Sequence, residues 1–212
     1  MKNLLTIFLL GVLVMSIGEA AAAESREWAF RVSLDDKEVG SHYFRIDEKD
    51  GKTRLETEAD LAVKMLLITV YRYLHRNVES WEDGCLTGIE SSTKVNGKTQ
   101  AVSGQRQGDF FNVRSSGESV RLPECVMSFA YWNPEILKEA RLLNSQNGEY
   151  VEVDVSGPVY DERLVRDQTL PAQRYRLNAG DIDLKLWYSL DDQWLALESK
   201  MRGGRVLSYE LM

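Results

Sequence analysis

The chain has 212 residues, with 26 Lys+Arg against 33 Asp+Glu and a formal net charge of −7. Hydrophobic residues make up 43% and charged residues 28%, which excludes a disordered chain. The acidic balance repels phosphate backbones, so no nucleic-acid partner is expected, and the length suits one domain.

Residues 1–23 read as a secretory leader. Lys2 gives a positive start, an apolar stretch runs from Leu4 to Ile17, and Ala20 to Ala23 supply small residues for cleavage before Glu24. The stretch is shorter than the ~20 residues a membrane span needs. The expected product is residues 24–212, a single β-rich domain that is periplasmic and has no membrane span once the signal peptide is removed.

Strand patterns dominate from there on. Trp28, Phe30, Val32 and Leu34 alternate with Ala29, Arg31 and Ser33, and the strand ends at an Asp35-Asp36-Lys37 turn. Glu38 to Asp47 fits a second strand, followed by a turn over Glu48 to Gly51. Leu55, Thr57, Ala59, Leu61 and Val63 then define the inner face of a third strand, with charged residues between them. Asn96-Gly97 is a strong hairpin signal, because both central residues of the favoured tight turn need positive φ. Gly203-Gly204 reads the same way. Strands recurring every 8 to 14 residues predict a mainly β fold, a large curved antiparallel sheet or incomplete barrel.

The segment Met65-Leu66-Leu67-Ile68-Thr69-Val70-Tyr71-Arg72-Tyr73-Leu74 does not alternate. As a strand it is apolar on both faces, which a sheet with one wet face does not tolerate. Three readings are open: the core on one side and the helix at about 134–143 on the other, a cavity for an apolar ligand, or a buried helix in place of a strand. The second makes Leu66, Ile68, Val70, Tyr71 and Tyr73, together with Trp132, the candidate ligand-lining residues.

Cys85 and Cys125 are the two cysteines. An even count in an exported chain, without a C-x-x-C spacing, reads as a disulfide rather than a catalytic thiol or metal pair. Further on, Asn133 is a good N-cap, Pro134 fits the first helical position, and Ile136, Leu137, Ala140 and Leu143 share a face. One amphipathic helix is therefore predicted over about 134–143, with Asn147-Gly148 beyond its end.

Chemistry-bearing motifs are sparse. His75 and Glu79 would share a strand face, and a metal would need a third ligand from His42, Glu82 or Asp83. With no H-E-x-x-H or comparable set, the pair reads as a surface histidine near a carboxylate. No G-x-S-x-G elbow and no nucleotide-binding glycine pattern occurs. No catalytic residue, metal or cofactor is assigned, and an enzyme built on His42 and His75 stands only as a third alternative. Lys200, Arg202 and Arg205 read as part of a scattered charged face, and the five tryptophans as core or rim residues.

Several motifs together resemble a known family. They are Trp28-x-Phe30-x-Val32-x-Leu34-Asp35, Val39-Gly40-Ser41-His42-x-Phe44, Tyr71-x-Tyr73-x-His75 with Glu79-x-Trp81, Gly84-Cys85-Leu86, Ser128-Phe129-Ala130-Tyr131-Trp132-Asn133 and Leu186-Trp187-Tyr188. The chain is similar to the uncharacterised exported bacterial family catalogued as domain-of-unknown-function family 6134. The resemblance implies an envelope protein and brings no activity or catalytic residue with it. A weaker, architectural likeness is to the periplasmic carriers of lipoproteins, which wrap a curved sheet around a helix. The function expected from the sequence is binding of a hydrophobic small molecule or lipid on the sheet's concave side. The alternative is an assembly module of the cell envelope, with neither ligand nor catalysis.

Overall fold

A computed structural model describes residues 24–65 and 68–212. The leader at 1–23 and Leu66 lie outside the described residues. The first eight strands run β1 (Glu24–Leu34), β2 (Lys37–Lys49), β3 (Lys52–Met65), β4 (Ile68–Glu82), β5 (Cys85–Val95), β6 (Lys98–Gln107), β7 (Phe110–Ser115) and β8 (Glu118–Pro123). After a crossing segment that contains the short β9 (Arg141–Leu143) and β10 (Tyr150–Glu152) come five more. These are β11 (Asp154–Val165), β12 (Gln168–Ala179), β13 (Ile182–Ser189), β14 (Trp194–Lys200) and β15 (Val206–Leu211).

All strands but β9 and β10 form one curved antiparallel sheet in the order β11-β12-β13-β14-β15-β1-β2-β3-β4-β5-β6-β7-β8, not closed into a barrel. Pairing of β1 with β15 puts the two ends of the described chain side by side at the centre of the sheet. The edges are then β11 and β8, and the residues between them cross the concave face.

Local chemistry explains the strands and turns. On β1 the alternating Trp28, Phe30, Val32 and Leu34 are all buried. The turn after it has positive φ at Asp35 (48°) and Asp36 (65°), and the β5–β6 turn has it at Asn96 (48°) and Gly97 (88°). This tight-turn geometry matches the twist of the flanking strands, and Asn, Asp and Gly tolerate it best. Close packing fixes one further glycine. A Cβ on Gly104 would lie 2.6 Å from Phe111 Cε1 and 2.9 Å from Ile89 Cγ2. Gly104→Ala is expected to cost about 1–3 kcal/mol by overpacking, read as a lower urea midpoint with an unchanged slope.

The crossing segment closes the core. Val126, Met127, Ala130, Trp132, Ile136, Leu142 and Leu143 are buried against the sheet. A Cys85–Cys125 disulfide ties its start to β5, and next to it the Leu86 N–H donates to the Val126 carbonyl at 2.9 Å. All five tryptophans are buried.

The helix over 134–143 is corrected. Only Pro134–Lys138 is helical, as a 3₁₀ turn whose Asn133 side chain accepts from the Glu135 N–H as the capping pattern predicts. From Glu139 the backbone is extended, and Arg141–Leu143 pairs with Tyr150–Glu152 as a small hairpin. A helix this short is marginal alone, and strand pairing satisfies the same backbone groups while burying both Leu142 and Leu143. The Asn147-Gly148 signal is real, but it turns a hairpin instead of ending a helix.

The greasy segment before His75 is corrected as well. The last β2 partner of β3 is Gly40, opposite Leu61, and the last β5 partner of β4 is Val95, opposite Tyr73. Residues beyond these on β3 and β4 pair with one another along an arm reaching past the sheet, tied to it where the Asn96 N–H donates to the Arg72 carbonyl at 3.0 Å and the Arg72 N–H donates to Asn96 Oδ1 at 2.9 Å. Ile68 is 71% exposed, Val70 47% and Tyr71 36%. Neither core nor helix covers them, so the expectation that both faces must be buried fails. The arm outruns the strands that could have shielded it.

Candidate functional site

On β4 the side chains alternate, and Tyr73, His75, Asn77, Glu79 and Trp81 fall on one face. Trp81, buried at one end of that series, marks it as the concave face. Register then sets rows across the sheet. His42, Ala59, His75 and Thr93 lie opposite one another on β2, β3, β4 and β5, and Phe44, Thr57, Asn77 and Ser91 form the next row. The small Ala59 leaves room between the two imidazoles, whose ring centroids are 6.5 Å apart.

The reading of His75 as a surface histidine is overturned. His42 is 9% exposed, His75 5% and Glu79 1%. His42 Nε2 lies 2.6 Å from Thr57 Oγ1, and His75 Nδ1 lies 2.9 Å from Thr93 Oγ1. Burial, with the nearby His75 adding to it, pushes His42 down to about 3. Burial alone pushes His75 down to about 4, so both rings are neutral at physiological pH.

Glu79 meets its solvation cost differently. Asn77 Nδ2 donates to Oε1 at 2.9 Å, while Trp81 Nε1 and Ser128 Oγ donate to Oε2 at 3.1 and 3.0 Å. Burial raises its pKa above the usual carboxylate range, and these three hydrogen bonds pull the other way. Successive positions on a strand place His75 and Glu79 too far apart to share one ion. Among the described residues, no group of three His, Cys, Asp or Glu side chains is arranged to hold a metal.

These side chains surround a cavity of about 90 Å³ beneath the crossing segment, walled chiefly by His42, Phe44, Tyr73, Tyr131, Trp132 and Tyr209. Asn144, Ser145 and Gln146 form its rim, held to the sheet by the Ser91 hydroxyl donating to the Ser145 carbonyl. Trp132 packs edge-to-face on Trp81 at 5.8 Å. Two buried polar atoms on the lining residues lack a hydrogen-bond partner, Asn77 Oδ1 and Trp132 Nε1.

Of the ligand-lining residues expected from the sequence, Tyr73 and Trp132 reach this cavity. Ile68, Val70 and Tyr71 do not line it; they sit on the projecting arm, exposed for the reason given above. The polar members His42, Thr57, Asn77 and Glu79 were not expected there. One signal was available: Trp81 lies two residues beyond Glu79, and a large buried side chain fixes the face of its i−2 neighbour.

The architecture is that of a β-barrel-like protein. A crystal structure titled as a beta-barrel-like protein of domain of unknown function DUF1849, from Brucella abortus, matches with a TM-score of 0.62. It shares 9% identity, and the match covers 88% of this chain and 94% of that one, a likeness of fold alone. The family is settled by sequence: the model for the domain of unknown function DUF6134 matches residues 30–212, and the chain belongs to that family. No curated protein matches it.

Proposed function

We propose that this is an exported envelope protein that binds a small molecule in the cavity between the concave face and the crossing segment. The observation that carries the reading is the buried set of His42, His75, Asn77 and Glu79 around an interior space. Buried polar groups cost stability unless fully paired, and an apolar core would fold this sheet more cheaply. The leader pattern and the disulfide support export, since disulfides persist in oxidising compartments.

The size and lining of the cavity move the expected ligand away from a lipid. About 90 Å³ is well below the 300–1,000 Å³ of drug-sized pockets, and the walls mix aromatic rings with imidazole and amide groups. A small, partly polar molecule suits the site; an acyl chain does not. Native mass spectrometry on protein gently isolated from the envelope tests this. A low-mass species is expected on the wild type and is expected to be lost from Ser145→Phe, a change at the rim that fills the entrance. Bare protein in both preparations, with added candidate ligands leaving the melting temperature unmoved, would contradict it.

A second reading, assembly through a sheet edge, is favoured by β11. This edge strand exposes Val159 (50%), Tyr160 (80%) and Leu164 (64%). An edge strand is a template for strand addition; Pro158 and the bulge between Ser156 and Val159 interrupt this one, which leaves the stretch from Val159 onward for pairing. Cross-linking from Tyr160 in the envelope is expected to capture a discrete partner if assembly is the function. Monomeric protein alone would dismiss it.

A further inference from the structure

The cavity makes no use of the arm at the outer ends of β3 and β4. Its last rung pairs Met65 with Ile68, four positions beyond Leu61, the last residue of β3 that pairs with β2. At ~3.3 Å per residue the arm therefore reaches about 13 Å past that pair. Val70 stands in a bulge opposite Val63 and Lys64, and Ile68, Val70 and Tyr71 are all exposed. Large apolar side chains held together in water mark a contact surface.

Charge says which surface suits them. The sequence from 61 to 78 contains Lys64, Arg72 and Arg76 and no Asp or Glu, in a chain of net charge −7. Arg72 is bound to Asp60 at 2.6 Å and Arg76 to Glu58 at 2.8 Å, further down the same hairpin. Lys64 is exposed on the arm itself and, among the described residues, makes no ion pair. The β5–β6 turn lies against the arm through the Asn96–Arg72 bonds and brings Lys94 and Lys98, both exposed and likewise without an ion pair among the described residues. On the other flank, Lys37 shares a groove with Ala62, Val63 and Lys64. There Asp35 is bound to Arg205 and Glu38 to Arg31, which leaves Asp36 against four lysines.

An apolar tip inside a cationic collar fits one partner. We propose that the arm docks on a lipid bilayer carrying anionic phospholipid. Ile68, Val70 and Tyr71 enter the headgroup zone, and Lys37, Lys64, Lys94 and Lys98 meet the phosphates around them. An interfacial element buries its apolar face about 5–10 Å into that zone, which is within the reach of the arm. Tyrosine suits the same depth, with an apolar ring and a polar tip. The zone also holds enough water to solvate the outward N–H and C=O groups of an arm paired on one side only, as the hydrocarbon core does not. A second copy of the chain fits poorly, because docking arm to arm sets the same lysines against one another. The contact is peripheral and independent of the cavity.

The test is sedimentation of the mature protein with vesicles of phosphatidylcholine, alone or mixed three to one with phosphatidylglycerol. Wild type is expected to bind the mixed vesicles at least tenfold more tightly than the neutral ones. Ile68→Ser combined with Val70→Ser is expected to weaken that binding at least tenfold, with circular dichroism and melting temperature unchanged. Lys64→Gln is expected to weaken binding to the mixed vesicles about fivefold and to leave the neutral ones untouched. Val70→Trp places a reporter on the arm, and brominated acyl chains are expected to quench its added emission. Wild type and the double-serine variant binding alike, or added Val70→Trp emission that brominated lipid leaves unquenched, would overturn the proposal. So would a wild type that stays in the supernatant with both vesicles. A dimer seen by light scattering and dissociated by the two serines would overturn it too, and would assign the arm to a second copy.

Discussion

Lowering the pH from 7 to 5 is expected to cost the native state about 4 kcal/mol through His42 and His75 alone. Both imidazoles are held neutral by burial, His42 down to about 3 and His75 down to about 4, against 6.5 in the unfolded chain. Between those values the unfolded state binds protons that the folded state refuses. Stability therefore rises with pH across the window from about 4 to 6.5 and is fully present only above it. Glu79 works in the opposite sense: with its folded pKa raised, the native state holds its proton longer than the unfolded one, so acid favours folding at that group. The two imidazoles outweigh the single carboxyl. Urea unfolding of the wild type, His42→Gln and His75→Gln at pH 7 and pH 5 checks this. Each variant is expected to reduce the acid destabilisation by about 2 kcal/mol. An unchanged pH dependence in both would contradict the buried, neutral state of the pair.

Replacing both cysteines, Cys85→Ser with Cys125→Ser, is expected to lower stability by about 4 kcal/mol. The figure follows from releasing a loop of about 41 residues in the unfolded chain. The native state adds a local reason. Cys125 holds the start of the crossing segment onto β5 beside the Leu86–Val126 backbone bond, and that segment carries Ser128 to Glu79 and Tyr131 and Trp132 to the cavity. The loss is expected to appear first as weakened packing of Trp132 on Trp81, seen in near-ultraviolet circular dichroism before the strands melt. A stability loss below 1 kcal/mol would show that the sheet and the core hold the segment without the bridge.

Much of the sheet was legible in the sequence, for reasons visible in particular residues. Trp28 to Leu34 alternate because one face of β1 meets the core, and Asp35-Asp36 and Asn96-Gly97 turn the chain because those residues accept positive φ. The cysteine pairing followed from count and compartment. The helix failed because the apolar spacing at 136, 137, 140 and 143 fits a helical stripe as well as a turn followed by a strand, and only the partner at Tyr150–Glu152 decides. The arm failed because periodicity says nothing about how far neighbouring strands extend.

The polar cluster was hidden for a related reason. On β4, polar residues occupy both faces: Arg72 and Arg76 outward, His75, Asn77 and Glu79 inward. A wet-outside rule read locally cannot tell the two sets apart. Only the register with Ala59 and Thr57, and the capping of that face by the crossing segment, turns three ordinary polar residues into one buried site.

A crystal structure of the protein isolated from its envelope, refined far enough to separate waters from carbon-bearing density, tests the site most directly. Continuous non-water density is expected in the cavity, in contact with Tyr73, Tyr131 and Trp132, with His42 and His75 still on Thr57 and Thr93. A cavity holding separate waters alone, or one closed by the Trp132 ring, would contradict it.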